Sequence, residues 1–114
     1  MSTPLITYDD FRKVDIRVGK VVQVEDFPEA RNPSFKLLID FGPELGVKRS
    51  SGQFLREHAK EEIMGQLVLA VVNFPLKRIA GFESEVLTLG LPGSNEGWII
   101  VSPVKEVKLG ERLA

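Results

Sequence analysis

Apolar and polar residues alternate along two stretches in the first half of the chain. Valine and isoleucine recur at every second position over residues 14–24, and aromatic or aliphatic residues do so over residues 35–41. This alternation is typical of a β-strand with one buried face, and it places Val22 on the buried side with Val18. Gly19 and Lys20 interrupt the first stretch, which predicts a bulge or bend there.

The pattern of the remaining chain predicts further strands and one helical region. A third strand is expected from Leu45, with Val47 pointing inward, and it ends in the polar residues 48–53. Helix-forming residues fill positions 54–64 up to Gly65, where the helical turns stop. The continuous apolar run 67–72 predicts a fourth strand covered on both faces. Residues 85–91 predict a fifth strand, residues 98–101 a short sixth one, and residues 109–114 carry a weak strand signal.

The order of these elements indicates a fold class. Five strands with a helical insertion between the third and the fourth follow the order of the OB-fold. We therefore expect an all-β protein, a five-stranded OB-fold Greek-key barrel with short helices between strands 3 and 4 and with N- and C-terminal extensions. Strand count alone does not exclude SH3-like barrels or half-sandwiches. In the N-terminal extension, Thr7 and Asp10 predict the start of a short helix that Phe11 anchors.

Composition narrows the class of protein. A chain of 114 residues predicts a single domain over residues 1–114. The formal net charge is −1, so any binding to nucleic acid or to an anionic membrane requires a local basic patch. Residues 1–10 lack the features of a signal peptide, and no apolar run approaches the roughly 20 residues that span a bilayer. We expect a cytoplasmic protein without membrane insertion.

Catalytic and metal-binding patterns are sparse in the sequence. Cysteine is absent, which excludes disulfides and thiolate metal sites, and His58 is the sole histidine. A nucleophile pair of Ser50 or Ser51 with His58 has no supporting signature, and no glycine-rich phosphate loop occurs. The sequence therefore predicts no enzyme activity and no cofactor.

The segment 73–84, between the fourth and fifth strands, is the main candidate site. It carries two cations, Lys77 and Arg78, among the apolar residues Phe74, Ile79 and Phe82. We interpret it as a loop that presents a binding surface, since loops between strands commonly carry function. The three apolar side chains are equally consistent with a plug in the barrel or with a subunit interface.

Further candidates lie near predicted strand ends, where OB-folds bind their ligands. The charged ones also fit a solvated surface, and the serines also fit turn capping. The complete candidate set for peptide or RNA binding is Arg31, Lys36, Lys48, Arg49, Ser51, Gln53, Asn73, Phe74, Lys77, Arg78, Ile79, Phe82 and Ser84.

Several motifs carry a resemblance to a known family. These motifs are residues 15–19 (DIRVG), residues 51–52 (SG), Asn73 and residues 81–84 (GFES). They resemble the tRNA-binding OB domain that is appended to some aminoacyl-tRNA synthetases and also occurs as free-standing dimers. Within that family, residues 27–31 (FPEAR) and 73–87 are similar to the CsaA branch, bacterial export-related chaperones. The resemblance implies a homodimer that binds unfolded or nascent preproteins, with the translocation ATPase SecA as a further partner. The alternative is a structure-selective tRNA-binding module.

Departures from the tRNA-binding pattern favour a peptide ligand. The tRNA-binding members usually carry lysine at the position of Pro75 and arginine at the position of Ala80, and commonly glycine at that of Val86. Each lost phosphate contact lowers the salt dependence of nucleic-acid binding by about one unit. The exchange of charge for apolar surface thus favours an extended, partly hydrophobic peptide over a phosphate backbone.

The terminal segments predict a dimer interface. Residues 8–11, 98–101 and 104–113 add apolar surface to a barrel that five strands already close. That surface must pack against something, and an opposing subunit is a natural partner. The alternative is that these segments cover one end of their own barrel.

Overall fold

The computed structural model describes residues 2–114, so Met1, the first residue of the predicted domain, lies outside the described residues. The elements in chain order are α1 Tyr8–Arg12, β1 Ile16–Asp26, β2 Phe35–Asp40, β3 Val47–Gly52, α2 Lys60–Ile63, β4 Leu67–Val71, β5 Lys77–Ile79, β6 Phe82–Ser84, β7 Leu87–Thr88, β8 Gly90–Pro92 and β9 Trp98–Ile100.

Five strands form one antiparallel sheet in the order β3-β2-β1-β4-β7. The long strand β1 pairs with β4 through its first half and with β2 through its second half. The two edges of the sheet approach each other near β7, where the Glu85 amide donates to the Arg49 carbonyl of β3 at 2.8 Å. The sheet is therefore a nearly closed barrel with α2 between β3 and β4, which confirms the predicted OB-fold.

The barrel core comes from the alternating residues that the sequence predicts. Phe35, Leu37, Ile39 and Phe41 are all buried on the inner face of β2. They pack with buried aliphatic side chains of β1 and β4 and with the two ends of the helical region, Phe54 and Ile63. Burial of this apolar surface is the main stabilising contribution to the barrel.

The irregularity in β1 lies at a different position from the predicted one. The register with β4 runs unbroken through Gly19, and the bulge falls between Val21 and Gln23. Val21 lies opposite the inward-facing Ile39 and is fully buried, whereas Val22 is the extra residue of the bulge and is exposed. Gly19 instead makes room for a neighbour, since a Cβ there would lie 2.8 Å from the ring of Phe41.

The prediction that Val47 points inward is wrong. Val47 lies opposite Asp40 on the outer face and is 53% exposed. The inner position of β3 belongs to Ser50, which is fully buried. Its hydroxyl lies 3.1 Å from the Val86 carbonyl and 2.8 Å from Thr88 Oγ1, so burial leaves no polar atom unsatisfied.

Both helices are short. At α1 the predicted capping box forms: Thr7 Oγ1 accepts from the Asp10 amide and Asp10 Oδ2 accepts from the Thr7 amide, each at 3.1 Å. No residue of α1 is buried, so Phe11 does not anchor it to the barrel core. Only four residues of the predicted helical region 54–64 form α2. Across residues 2–114, neither helix has the length and apolar content to cross a bilayer.

The second half of the chain contains more strands, and shorter ones, than the sequence indicates. The predicted fifth strand consists of two short strands, β7 and β8, and β8 pairs with β9. The segment 109–114 forms one bridge, Arg17 to Arg112, and backbone hydrogen bonds join Gly110 and Leu113 to the start of β1. The weak strand signal is therefore confirmed as a short pairing with β1.

Candidate functional site

The segment 73–84, predicted as a loop, contains the hairpin β5–β6. Ile79 pairs with Phe82 across the two turn residues, Ala80 and Gly81, whose φ angles are 47° and 83°. Two positive φ angles in a two-residue turn define type I′, whose twist matches that of paired strands. The chain therefore presents the segment as a short, ordered projection beside the barrel.

An aromatic pair under a lysine joins the hairpin to the barrel. The rings of Phe27 and Phe82 lie 5.4 Å apart in edge-to-face contact. Lys36 Nζ lies 4.8 Å from the centroid of Phe27 and 5.4 Å from that of Phe82. Phe27 is buried, whereas Phe82 and Lys36 remain half-buried. Cation–π attraction thus holds a positive charge at a surface where three segments of the chain meet.

The outer face of β2 and β3 continues this surface. Residues directly opposite in antiparallel strands share a face, and the register pairs Lys36 with Ser51 and Leu38 with Arg49. The next outward residue of β3 is the exposed Val47. The outer face therefore alternates apolar side chains with the predicted site residues Lys36, Arg49 and Ser51.

Ion pairs join β3 to the hairpin. Arg78 donates to Glu83 at 2.8 Å, and Arg49 lies 3.7 Å from Glu83 and 3.3 Å from Glu85. We call these four residues the ionic row. The hydrogen bond from Arg78 holds the pKa of Glu83 below its ordinary value, and the charge of Arg49 adds to the effect. Two cations and two carboxylates cancel, so the row carries no formal net charge.

The predicted lysines differ from the arginines in two respects. Lys36, Lys48 and Lys77 have no carboxylate within 4 Å among residues 2–114, so their charges are not neutralised locally. Lys48, however, lies opposite the buried Ile39 and hence on the inner side of the sheet, at the barrel's end. The structure separates it from the outer face that holds Lys36 and Arg49.

Two predicted site residues hold the chain itself together. Asn73 Oδ1 accepts from the Asp15 amide at 2.9 Å, and its Nδ2 donates to the Lys13 carbonyl at 2.7 Å. The buried Ser84 donates to the Val86 carbonyl at 3.1 Å. These polar groups fix the base of the hairpin, and a contact with ligand stays a prediction for both.

The other predicted residues frame the same surface. Phe74 is 53% exposed at the entry to the hairpin, and Ile79 is half-buried beside the turn. Arg31, Gln53 and Lys77 are exposed. A role in binding stays a prediction for each of them.

Sequence reasoning missed several residues of this surface. Leu38 is apolar at a position of β2 whose parity is otherwise polar, and Leu76, 59% exposed, directly precedes β5. The alternation in β2 contained the signal for Leu38. Glu83 and Glu85 gave no comparable signal, because their pairing with Arg49 depends on how the barrel closes.

The polar residues considered for catalysis are engaged elsewhere. His58 Nε2 accepts from the Ile100 amide at 3.2 Å, and its Nδ1 lies 3.3 Å from Glu62. Ser50 is enclosed in the barrel. Within residues 2–114, no cluster of His, Asp or Glu has the geometry to hold a metal ion. The surface offers charge, aromatic rings and apolar side chains for non-covalent binding.

A comparison of the sequence with family models decides the family. The model described as "Putative tRNA binding domain" matches residues 16–112. The chain belongs to this tRNA-binding domain family. The relatives include the methionine–tRNA ligase of Thermococcus kodakarensis, 32% identical over 108 residues, and that of Methanosarcina mazei, 33% identical over 115 residues. These matches cover 95% and 98% of the chain but only 14% and 15% of the two ligases.

Solved structures similar to this chain include chaperones. The crystal structure of the chaperone CsaA from Bacillus anthracis matches with a TM-score of 0.89 and 43% identity, covering 97% of this chain and 100% of that one. The CsaA chaperone protein from Picrophilus torridus matches with a TM-score of 0.89 and 44% identity, covering 96% and 100%. The resemblance to the CsaA branch that the motifs predicted is thereby confirmed.

Proposed function

We propose that this tRNA-binding domain protein is a CsaA-like chaperone that binds extended segments of unfolded or nascent preproteins for export. The observation that carries the proposal is the ionic row, whose charges cancel, together with exposed apolar side chains on the same segments of the chain, Val47 on β3 and Phe74 and Leu76 before β5. A surface of this kind suits an unfolded chain, which exposes apolar side chains between polar ones. It suits a phosphate backbone less well, because two of its cations are already neutralised.

The comparisons support the same proposal. The two CsaA chaperones are covered over their full length at 43% and 44% identity, whereas the ligases are matched over a small part. We take residues 1–114 as one non-catalytic binding domain without a cofactor, acting in the cytoplasm. The translocation ATPase SecA is a proposed partner because the protein's substrates would be on an export route.

A homodimer is part of this proposal. Leu91, Trp98 and Ile99 expose apolar surface on the β8–β9 hairpin, and Leu5 and Val104 are almost completely exposed on the terminal segments. Exposed apolar surface on this scale typically marks an interface. Two subunits would also offer two peptide surfaces, so a weak site gains from avidity when one chain reaches both.

The second candidate function is binding of tRNA. Lys36 and Lys77 carry charges that no carboxylate within residues 2–114 neutralises, and the related ligases act on tRNA by name. These two lysines would give a slope of only about −2 in log affinity against log salt. Such binding would be weak at physiological salt concentrations.

Fluorescence anisotropy over a salt series distinguishes the two functions. The purified protein is titrated against a labelled unstructured peptide and against a labelled tRNA. We expect peptide binding that persists as salt rises, with weak tRNA binding. Tight tRNA binding with a steep negative salt slope, without peptide binding, would contradict the chaperone function.

Substitutions connect the binding to the site. Phe82→Ala removes the ring that Phe27 and Lys36 contact, so we expect it to weaken peptide binding several-fold and RNA binding less. Lys77→Ala combined with Arg78→Ala should weaken RNA binding more. Met64→Ala, which removes an exposed apolar side chain next to α2, is the control and should bind both ligands normally. If the hairpin variants bind like the control, this hairpin is not the site.

A further inference from the structure

The turn of the β5–β6 hairpin determines where its backbone groups point. In a two-residue type I′ hairpin, the residues flanking the turn exchange both backbone hydrogen bonds, so Ile79 and Phe82 are bonded to each other. The next pair, Arg78 and Glu83, is then a non-hydrogen-bonded pair. The amide and carbonyl of Arg78 therefore point away from β6, toward the outer edge of β5.

The chain that follows β6 contacts β3 on the opposite side of the hairpin. The Glu85 amide donates to the Arg49 carbonyl at 2.8 Å, and the Val86 amide shares that acceptor at 3.4 Å. The strands thus lie in the order β3, β6, β5. Within residues 2–114, β5 pairs only with β6, and its other edge pairs with no strand.

The free edge of β5 continues beyond the strand to Leu76. Leu76 has the same parity as Arg78, so its backbone groups also face outward where the chain remains extended. Pro75 has no amide hydrogen and ends the edge. An incoming strand would meet the backbone groups of Leu76 and Arg78 next to the exposed Leu76 side chain.

We propose that an extended polypeptide segment bearing acidic side chains adds to the β5 edge as a third strand of the hairpin. This inference rests on the proposed function and specifies how the ligand is held. Main-chain hydrogen bonds to Leu76 and Arg78 would provide affinity independent of sequence, which suits a protein with many unfolded substrates. The occupied hairpin would then join the ligand, through β6, to the outer face of β3.

Charge complementarity selects this ligand over a second copy of the same edge. The edge carries Lys77, which no carboxylate within residues 2–114 approaches to 4 Å, and Arg78, which shares Glu83 with Arg49. Two copies of β5 placed side by side would bring two unneutralised Lys77 side chains onto neighbouring strands, and like charges there are destabilising. An acidic side chain on the added strand would instead pair with Lys77.

Amide hydrogen exchange tests the edge directly. The probe is an unstructured peptide of valine, serine and glutamate, with a second peptide in which lysine replaces glutamate. In the free protein the Leu76 and Arg78 amides should exchange quickly, and the acidic peptide should slow both by about tenfold or more. The lysine peptide should slow them far less. Unchanged exchange at both amides while the acidic peptide is bound would overturn the inference.

A proline substitution provides a second test. Arg78→Pro removes the side chain that pairs with Glu83 and, of the backbone groups, only an amide that the hairpin does not use, so the hairpin should persist, as edge positions tolerate proline. Arg78→Ala is the control, because it removes the same side chain and keeps the amide. Loss of one backbone hydrogen bond should make Arg78→Pro bind the acidic peptide about three- to tenfold more weakly than Arg78→Ala.

The outcomes separate the inference from the proposed function. Equal peptide binding by the two variants, both with unchanged thermal midpoints, would overturn edge pairing while leaving peptide binding itself intact. If the wild-type protein binds no unstructured peptide, the proposed function fails and the inference fails with it. If Arg78→Pro disturbs the hairpin, amide hydrogen exchange in the wild-type protein still tests whether the peptide pairs with the β5 edge.

Discussion

Arg49 lies between two carboxylates, and this position gives it two effects at once. Its guanidinium contacts Glu83 and Glu85, and its carbonyl accepts from the Glu85 amide, so it fastens the hairpin to β3. The same contacts neutralise its charge for any ligand. Exposed ion pairs contribute little to global stability, so the main effect of the ionic row is on local charge and on hairpin position.

The titration of Glu83 reports on this row. Because Arg78 lowers the pKa of Glu83, the ionised pair stabilises the hairpin above the ordinary pKa of a glutamate, and this contribution is lost as pH falls through the lowered value. We expect Arg78→Ala to raise the pKa of Glu83 toward that ordinary value, as measured by carboxyl ¹³C NMR. Arg56→Ala, which removes a separate ion pair with Glu96, is the control. Equal midpoints in all three proteins would contradict the pairing.

The hairpin β5–β6 is the element on which binding depends, and its turn is not optimal. Ala80 holds a positive φ of 47°, a conformation that costs alanine roughly 1–2 kcal/mol. Asn-Gly is the favoured pair for a type I′ turn. The chain therefore presents its candidate site on a projection that is ordered but only modestly stabilised by its own turn.

Two substitutions in the turn should have opposite effects. Ala80→Asn should strengthen the hairpin and improve peptide binding a few-fold, because less ordering remains for the ligand to induce. Gly81→Ala should weaken both by backbone strain alone, since an added Cβ at Gly81 meets no atom within 4 Å. Amide exchange at Phe82 and peptide anisotropy provide the measurements. Parallel changes in the two variants would refute this account of the turn.

Strands that carry a long sequence pattern were predictable from the sequence. Very short strands, and contacts between residues far apart in the chain, were not. The alternation of β2 and the apolar run of β4 each span five or more residues, and both strands form as predicted. Strands of three residues, such as β5 and β6, are too short for alternation to distinguish them from a loop. The partner of Arg49 lies 36 residues away, so only the closed barrel reveals that its charge is cancelled.

At the scale of the whole molecule, apolar side chains remain exposed away from the hairpin. Trp98 and Ile99 lie on the short strand β9, and Leu91 lies on its partner β8. Trp98 is the sole tryptophan, so it reports on its own burial. The homodimer proposed above would cover this surface.

A charge in that surface should prevent association. Ile99→Lys places an ammonium group where the proposed dimer buries a side chain now 42% exposed, so we expect a monomer in sedimentation velocity. The emission of Trp98 should shift to longer wavelength. Met64→Lys, at a similarly exposed apolar position after α2, should leave the assembly unchanged. A dimer that survives Ile99→Lys would place the interface elsewhere.

The pairing of residues 110–113 with the start of β1 also determines when folding can finish. The Val18 amide donates to Glu111, and the Leu113 amide donates to Ile16, so a strand made early in synthesis waits for residues made more than 90 positions later. Closing such long loops slows folding, since their entropy is lost before the contacts form. During translation the start of β1 therefore keeps an unpaired edge until residue 113 has left the ribosome. A protein proposed to protect unfinished chains passes through that exposed state itself.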